Sequence, residues 1–368
     1  MVGQSSTRGE TVNLTDETSQ DVYEGFKKYV KGEDVITDSH RATHDSDGKY
    51  KFNFIELFAG IGGFRSGLEA IGGRCVWACE KDRAARLTYR ANFVQNPYYD
   101  IKAADLSTIL PFDVLTAGFP CQDFSSLSDQ KGVQGKKGAL FWEVIRVLKE
   151  CKPPALFLEN VKGLVTMRKG KTMESILNAL QECGYFCTYK LMNSNSLVPQ
   201  VRNRVYIVGF RDRATFKRFR FPHTPCISPS PAVGDVLQSN DEDKFLEIFQ
   251  LSRSQWKTVR ESRGTIKYGL RKRLLMLNDT KECADTLLRN YRVSWRNMAQ
   301  FVVDENYDFN EEMPGRARWF TPRECARLMG FPDGFKIHPD RWESYKQLGN
   351  AVVPGFVTLI GSLIVGAM

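Results

Sequence analysis

No apolar run in this 368-residue chain approaches the roughly 20 residues needed to span a bilayer, so no membrane-spanning helix is expected. The opening residues Met1-Val2-Gly3-Gln4-Ser5-Ser6 have no apolar core, and no secretory signal is read there. No Cys-x-x-Cys pair occurs. The nine cysteines stand singly or as Cys-x-x-x-Cys (Cys75/Cys79, Cys183/Cys187), which argues against a disulfide framework and for reduced thiols inside a cell. Histidine is scarce, with four in all. His40 and His44 have helical ligand spacing, but they sit in a polar segment without a third ligand, so no metal site is expected. There are also no internal repeats.

What is present is an ordinary globular composition, 42% hydrophobic and 26% charged, in a chain long enough for two unequal domains. The net charge of +9 is unevenly placed. Residues 211 to 300 hold 18 basic against 10 acidic side chains, whereas residues 1 to 50 hold 6 against 10. One quarter of the chain thus carries nearly all the excess, as a nucleic-acid-facing region would. A solvated basic surface explains the count equally well.

The first 51 residues are polar, with one short amphipathic stretch (Val22, Tyr23, Phe26, Tyr29, Val30), and read as a loosely ordered extension. From Phe52 short apolar strands alternate with helices. Strands are predicted at 54–58, 75–79, 112–117, 155–158, 185–192 and 205–210, with another ending near Asp105. That alternation implies a largely parallel sheet covered on both faces. After Phe210 it stops. A Pro- and Ser-rich crossing at 223–231 leads into an irregular, arginine-rich stretch with Trp256, Tyr268, Tyr291 and Trp295 interleaved. Helical order returns near Thr321, where Pro322 suits a first helical position. The apolar segment from Val352 to Val365 is expected to be buried against the first domain.

Three segments carry chemistry. Phe58-Ala59-Gly60-Ile61-Gly62-Gly63 follows a strand and opens a helix, and Glu80 lies twenty residues beyond Gly60. Glycines admit a nucleotide and the acid bonds ribose hydroxyls in a dinucleotide fold. Arg65 stands where that motif has its third glycine, which favours a nucleoside ligand without phosphates, such as S-adenosylmethionine. A tight structural turn is the other reading. In Gly118-Phe119-Pro120-Cys121-Gln122-Asp123-Phe124 a strand end delivers a thiol into a loop, as a nucleophile requires; a buried small hydrophobe is the alternative. Glu159 ends another buried strand, where a carboxylate is costly unless partnered. Arg202 and Arg204, two residues apart before a strand, offer guanidinium groups to a developing oxyanion, or else to surface carboxylates.

Together and in this order, these segments resemble the cytosine-C5 DNA methyltransferases of bacterial type. Phe54–Gly67 is similar to the family's cofactor motif, Gly118–Ser125 to its Pro-Cys motif, Glu159-Asn160-Val161 to its Glu-Asn-Val motif and Gln200–Arg204 to its Gln-x-Arg-x-Arg motif. Pro322–Gly330 and Gly349–Pro354 resemble the two closing motifs. Ala351 replaces the small hydroxyl residue usual in the last one, and Thr286-Leu287-Leu288 resembles a Thr-Leu element of the recognition domain.

The resemblance implies a Rossmann-like α/β methyltransferase fold, with a mostly parallel sheet of about seven strands and a smaller irregular target-recognition domain. Residues 52–222 and 316–368 would form the catalytic part, 223–315 the recognition domain and 1–51 the extension. Cys121 would add to C6 of a flipped cytosine while Glu159 donates to N3 and Arg204, with Arg202, holds O2. S-adenosylmethionine, with no metal, would contact Phe58, Ala59, Gly60, Ile61, Gly62, Gly63, Glu80, Lys81, Asp105, Leu106, Pro120, Leu140, Asn350, Ala351 and Val352. Glu80 would bind the ribose and Asp105 the adenine amino group. Double-stranded DNA would meet Gln122, Ser125, Lys131, Lys136, Lys137, Arg271, Lys272 and Arg273. The chain would act as an intracellular monomer, in the nucleus of a eukaryote or the cytoplasm and nucleoid of a bacterium. A tRNA cytosine methyltransferase is the rival, but Phe119-Pro120-Cys121-Gln122 lacks that group's Pro-Pro-Cys-Gln and no Cys-Phe-Thr occurs. An inactive nucleic-acid-binding homologue would be expected to lose Cys121 or Glu159.

Overall fold

A computed structural model describes residues 50–120, 139–222, 231–238, 246–276, 283–293, 295–303 and 317–368. The predicted stretch at 22–30, His40, His44, and Cys121, Gln122, Ser125, Lys131, Lys136 and Lys137 all lie outside the described residues.

Six strands form one mixed sheet: β1 (Phe52–Leu57), β2 (Gly73–Cys79), β3 (Val114–Gly118), β4 (Ala155–Val161), β5 (Phe186–Asn193) and β6 (Asn203–Phe210), in the order β2-β1-β3-β4-β6-β5. The first four run parallel, and β6 pairs antiparallel with both β4 and β5. The strand predicted to end near Asp105 is not one. Asp100 and Asp105 each turn their carboxylate onto a backbone N–H two residues ahead, capping the 3₁₀ turns Ile101–Ala103 and Leu106–Thr108. Local side-chain bonding by Asp competes with strand pairing in this way. The sheet therefore has one strand fewer than expected.

Alternation of buried residues gives the sheet two apolar faces. Val114, Phe157, Tyr206 and Val208 join the core on one side, while Leu115, Leu156, Leu158 and Ile207 join that on the other. Helices Ala139–Cys151 and Lys171–Glu182 cover the second face. The first is covered by Gly63–Glu69, Arg83–Phe93 and the C-terminal helix Pro354–Ala367, as the apolar tail predicts. In that last helix Phe356, Val357, Ile360 and Ile364 are buried, each contributing about 1.5–3 kcal/mol of burial. Phe356 stacks on Tyr206 with ring centroids 5.7 Å apart. Gly67 permits the approach: a Cβ there would stand 2.6 Å from that of Val357.

The region after Phe210 has its own two-stranded parallel pairing, Leu274–Met276 with Phe301–Val303. Trp256 and Tyr291 are buried within it, and Trp295 packs against the same core. These interleaved aromatics are core residues rather than a stacking surface, and the Tyr268 side chain lies outside what is described. Arg273 belongs to the same interior. At 4% exposure it donates to the carbonyls of Trp295, Arg296 and Ala299 and to Ser262 Oγ, and burial pushes its pKa down to about 10. Its expected phosphate contact is therefore corrected: a buried guanidinium saturated by carbonyls is not offered to DNA. Lys272 is exposed, and the Arg271 side chain lies outside the described residues.

The helix Pro322–Leu328 starts as the sequence requires. Thr321 and Glu324 form a reciprocal capping box with Pro322 in the first turn. Glu324 also pairs with buried Arg318 at 2.7 Å.

Candidate active site

The parallel strands end on one side of the sheet, the position at which open α/β sheets bind ligands. A cavity of about 540 Å³ opens there. Its lining joins the glycine turn (Phe58, Ala59, Gly60, Ile61, Gly63) to Glu80, Lys81, Pro120 and Leu140, and to Asn350, Ala351 and Val352 from the C-terminal motif. Glu159, Arg202 and Arg204 line the same space. Residues separated by up to 294 positions in the chain therefore share one cavity.

The turn after β1 is built by left-handed backbone at Phe58 (φ 54°), Gly60 (φ 55°) and Gly62 (φ 87°). Nothing lies within 4 Å of where a Gly60 Cβ would stand, whereas one at Gly63 would strike Val352. Gly60 leaves room for a ligand, and Gly63 lets the last motif close over the turn. Glu80 Oε2 accepts from Gly60 N at 2.8 Å and Oε1 from Asp82 N at 2.7 Å, leaving lone pairs for hydroxyl donors. Burial raises its pKa against those bonds. Apolar walls beside a carboxylate, as the described lining offers here, suit the nucleoside portion of a ligand. Lys81 is exposed and reaches Asp100 at 3.4 Å.

Three predicted cofactor residues stand elsewhere. Asp105 is exposed, with Oδ1 held by the N–H and hydroxyl of Ser107, and Leu106 is buried in the core of the second face. Neither lines the cavity, because the 3₁₀ turns move them aside; Asp100 and Ile101 line it instead. Gly62 faces Phe93. Arg65, in the place of the third glycine, turns away. It pairs with Glu69 at 2.6 Å, donates to Tyr89 and Gln95, and lies 4.6 Å from the Phe93 ring centroid. Beneath the turn, Glu56 is fully buried. Oε2 accepts from Tyr89 Oη at 3.1 Å and Oε1 faces Arg65 N at 3.4 Å, while burial pushes its pKa up to about 8.

β3 and β4 bring the two remaining motifs together. Gly118 pairs in register with Glu159, three residues before Cys121. Asn160 Nδ2 donates to the Phe119 carbonyl at 2.9 Å, and Asn160 Oδ1 accepts from Val161 N. Glu159, 9% exposed, meets Arg204 Nε at 3.0 Å. Burial raises the Glu159 pKa, while the charges of Arg204 and Arg202 pull it down. The net direction is upward, toward a carboxyl able to retain a proton.

Arg202 has a different geometry from the one its motif position suggests. Nη1 donates to Leu287 O at 3.0 Å, and Nη2 to Gly349 O and Ala351 O at 3.1 and 2.7 Å. Burial, with Arg204 next, lowers its pKa to about 9. It clasps the C-terminal motif and the Thr-Leu element to the start of β6 through both terminal nitrogens, while lining the cavity. Gln200 does similar work, accepting from Leu287 N and donating to Leu328 O. Thr286 Oγ1 donates to Val201 O at 2.6 Å.

The cavity also takes in Leu288 of the Thr-Leu element, together with Asp82, Arg289, Asn290, Lys346 and Gln347, which were not singled out from sequence. Adjacency to Glu80, to the Thr-Leu element and to Gly349 was the available signal. Lys346 reaches across to Asp82 at 2.7 Å, and Gln347 Oε1 accepts from Thr88 at 2.8 Å.

A family model described as C-5 cytosine-specific DNA methylase matches residues 52–366. The Type II methyltransferase M.HhaI of Haemophilus parahaemolyticus is 36% identical over 311 residues, covering 82% of this chain and 90% of that protein. M.HpaII of Haemophilus parainfluenzae is 36% identical over 332 residues, covering 85% and 89%. Among solved structures, the S. pombe Dnmt2 methyltransferase superposes with TM-score 0.67 at 20% identity, covering 86% of this chain and 99% of that one. The Entamoeba histolytica methyltransferase EhMeth gives 0.67 at 18%, covering 85% and 98%. At those identities the superpositions establish the fold.

Proposed function

Because this chain belongs to the C-5 cytosine-specific DNA methylase family, and so is a cytosine-C5 methyltransferase, we propose that Cys121 is its nucleophile and duplex DNA its substrate. The observation that carries this is the shared cavity. The nucleoside-sized slot at Gly60 and Glu80 and the Glu159–Arg204 pair open into one space, bordered by Pro120, the residue before Cys121.

S-adenosylmethionine, the methyl donor of this family, supplies an electrophilic methyl group on a sulfonium. Glu80 would bind its ribose hydroxyls, and Phe58, Ile61, Asn350 and Val352, which line the same cavity, would hold the rest of its nucleoside portion. The target cytosine leaves the duplex to reach the site. The Cys121 thiolate adds to C6, which breaks ring aromaticity and makes C5 nucleophilic. Glu159 donates a proton or hydrogen bond to N3 as charge builds there, and Arg204 steadies Glu159 and the developing charge at O2. Once C5 has taken the methyl group, with the donor's sulfur leaving as a neutral thioether, loss of the C5 proton to a base and of the Cys121 thiolate restores the ring. Asn160 holds the Phe119 carbonyl and so the approach of the nucleophile loop.

The test supplies labelled S-adenosylmethionine with duplex DNA, with tRNA and with no acceptor, to wild type and Cys121→Ser. Label on DNA with wild type alone is expected, as is a covalent adduct with a 5-fluorocytosine duplex. Label moving only to tRNA overturns the substrate, and absence of the adduct overturns the nucleophile.

A further inference from the structure

The charged side chains that line the cavity are nearly all committed to one another or to backbone. Lys346 meets Asp82 at 2.7 Å, Lys81 meets Asp100 at 3.4 Å and Arg204 meets Glu159 at 3.0 Å. Glu80 accepts two backbone N–H groups, and Arg202 directs its terminal nitrogens to carbonyls. One cation of the lining is left over. Arg289 is exposed, and among the described residues its side chain has no hydrogen bond, ion pair or ring contact. The nearest acid in the chain, Asp285, is acted on by the charge of Lys272 and not by that of Arg289.

The backbone that carries Arg289 is held in place. It follows directly on the Thr-Leu element, where the Thr286 hydroxyl donates to Val201 O at 2.6 Å and Leu287 N–H donates to Gln200 at 2.8 Å. Arg202 takes the Leu287 carbonyl at 3.0 Å. Gly349 lets the C-terminal motif press against the same segment, since a Cβ there would strike the backbone of Leu288 and Arg289. A long cationic side chain thus stands on a fixed base at the cavity. Fixing the base cuts the ordering cost of a contact made by the guanidinium.

The cavity decides which anion that contact takes. Glu159 and Arg204, which act on the target base under the proposed function, line the same space. A base that enters leaves its flanking phosphates at the mouth, because they remain joined to the strand. The planar fork of Arg289 matches two oxygens of such a phosphate. The carboxylate of the cofactor is the competing anion.

We infer that Arg289 is a substrate-binding residue whose guanidinium grips a phosphate flanking the cytosine extruded into the cavity. The inference rests on the proposed function and names one backbone contact of its substrate.

The experiment titrates duplex binding across a salt series for wild type, Arg289→Ala and Arg289→Lys. It is repeated with duplexes carrying one uncharged methylphosphonate linkage, on one side or the other of the target cytosine. Replacing an exposed side chain should leave the melting temperature unchanged. Loss of one phosphate contact makes the slope of log K against log salt shallower by about 0.9. Arg289→Ala should show that change and bind duplex about tenfold more weakly. Its KM for duplex should rise by more than kcat falls, while Arg289→Lys keeps the wild-type slope. One of the two modified duplexes should weaken wild type by the same factor and Arg289→Ala no further. Affinity for S-adenosylmethionine alone should be equal in all three proteins.

An unchanged slope in Arg289→Ala overturns the inference, as do losses from variant and modified linkage that multiply at both positions. Weaker cofactor affinity with an unchanged duplex slope overturns it in favour of the carboxylate. The modified duplexes also test wild type without any variant: equal affinity for both and for the plain duplex overturns the inference alone. Each of these results leaves wild-type methyl transfer to duplex intact, whereas transfer confined to tRNA is the failure of the proposed function itself.

Discussion

Asn160 Nδ2 donates to the carbonyl of Phe119 at 2.9 Å, tying the end of β4 to the residue two before Cys121. Its other polar atom, Oδ1, accepts from Val161 N, so both ends of the amide are engaged and the side chain is 3% exposed. Neither ligand nor substrate is needed to hold this bond.

Asn160→Ala is expected to retain the fold and lose the register of the nucleophile loop. Misplacement by about 1 Å costs roughly 100-fold in rate. Single-turnover methyl transfer should fall by about 10- to 100-fold with cofactor affinity nearly unchanged. A rate within twofold of wild type would remove Asn160 from the positioning role.

Glu159 gives a pH signature. Burial raises its pKa and the Arg204 charge opposes that rise, so transfer that uses the retained proton declines as pH climbs through the raised value. Arg204→Gln removes the opposing charge and should move that limb to higher pH, on top of a lower rate. Glu159→Gln should abolish the limb and lower kcat by about 10²- to 10⁴-fold. A limb that stays in place in the Arg204 variant contradicts the coupling.

Arg202→Lys keeps the charge but cannot reproduce a fork reaching three carbonyls. Leaving buried acceptors unpaired should destabilise the protein by about 2–4 kcal/mol. Urea denaturation measures the loss, and cofactor affinity should weaken with it as the Gly349–Ala351 segment loosens. Full stability with reduced turnover would point instead to direct contact with substrate.

Glu56 makes stability itself depend on pH. Its folded pKa, about 8, lies above the ordinary value of 4.5. Its contribution is therefore fully present below pH 4.5 and is lost as pH rises toward 8. Glu56→Gln should flatten that decline, becoming more stable than wild type at pH 8 and nearly equal near pH 5. Parallel denaturation curves at both pH values would show that Glu56 does not titrate in this window.

Six of the seven strands foreseen are present; 112–117 and 155–158 were legible because a buried strand needs an apolar run, whereas β5 is an edge strand with a single buried residue. The seventh failed at Asp100 and Asp105, whose carboxylates cap local turns; an acid capping a turn and an acid ending a strand look alike in one dimension. The same limit displaced Asp105 from the cavity and let Asp100 in. Arg273 shows the converse, since a count of charges carries no information on burial and this arginine lies among carbonyls rather than in solvent.

By itself the sequence determined the chemistry on offer: glycines before a helix, a thiol after a proline, a carboxylate closing an apolar strand, all set by residue type and neighbours. Only the tertiary structure decided which of these share a space. Gly63 meets Val352, and Arg202 reaches Ala351, across more than a hundred residues, through packing that local propensity does not encode. Burial then decided the roles, because a guanidinium or carboxylate acts on a ligand only where the folded chain has left its polar atoms something other than backbone to bind.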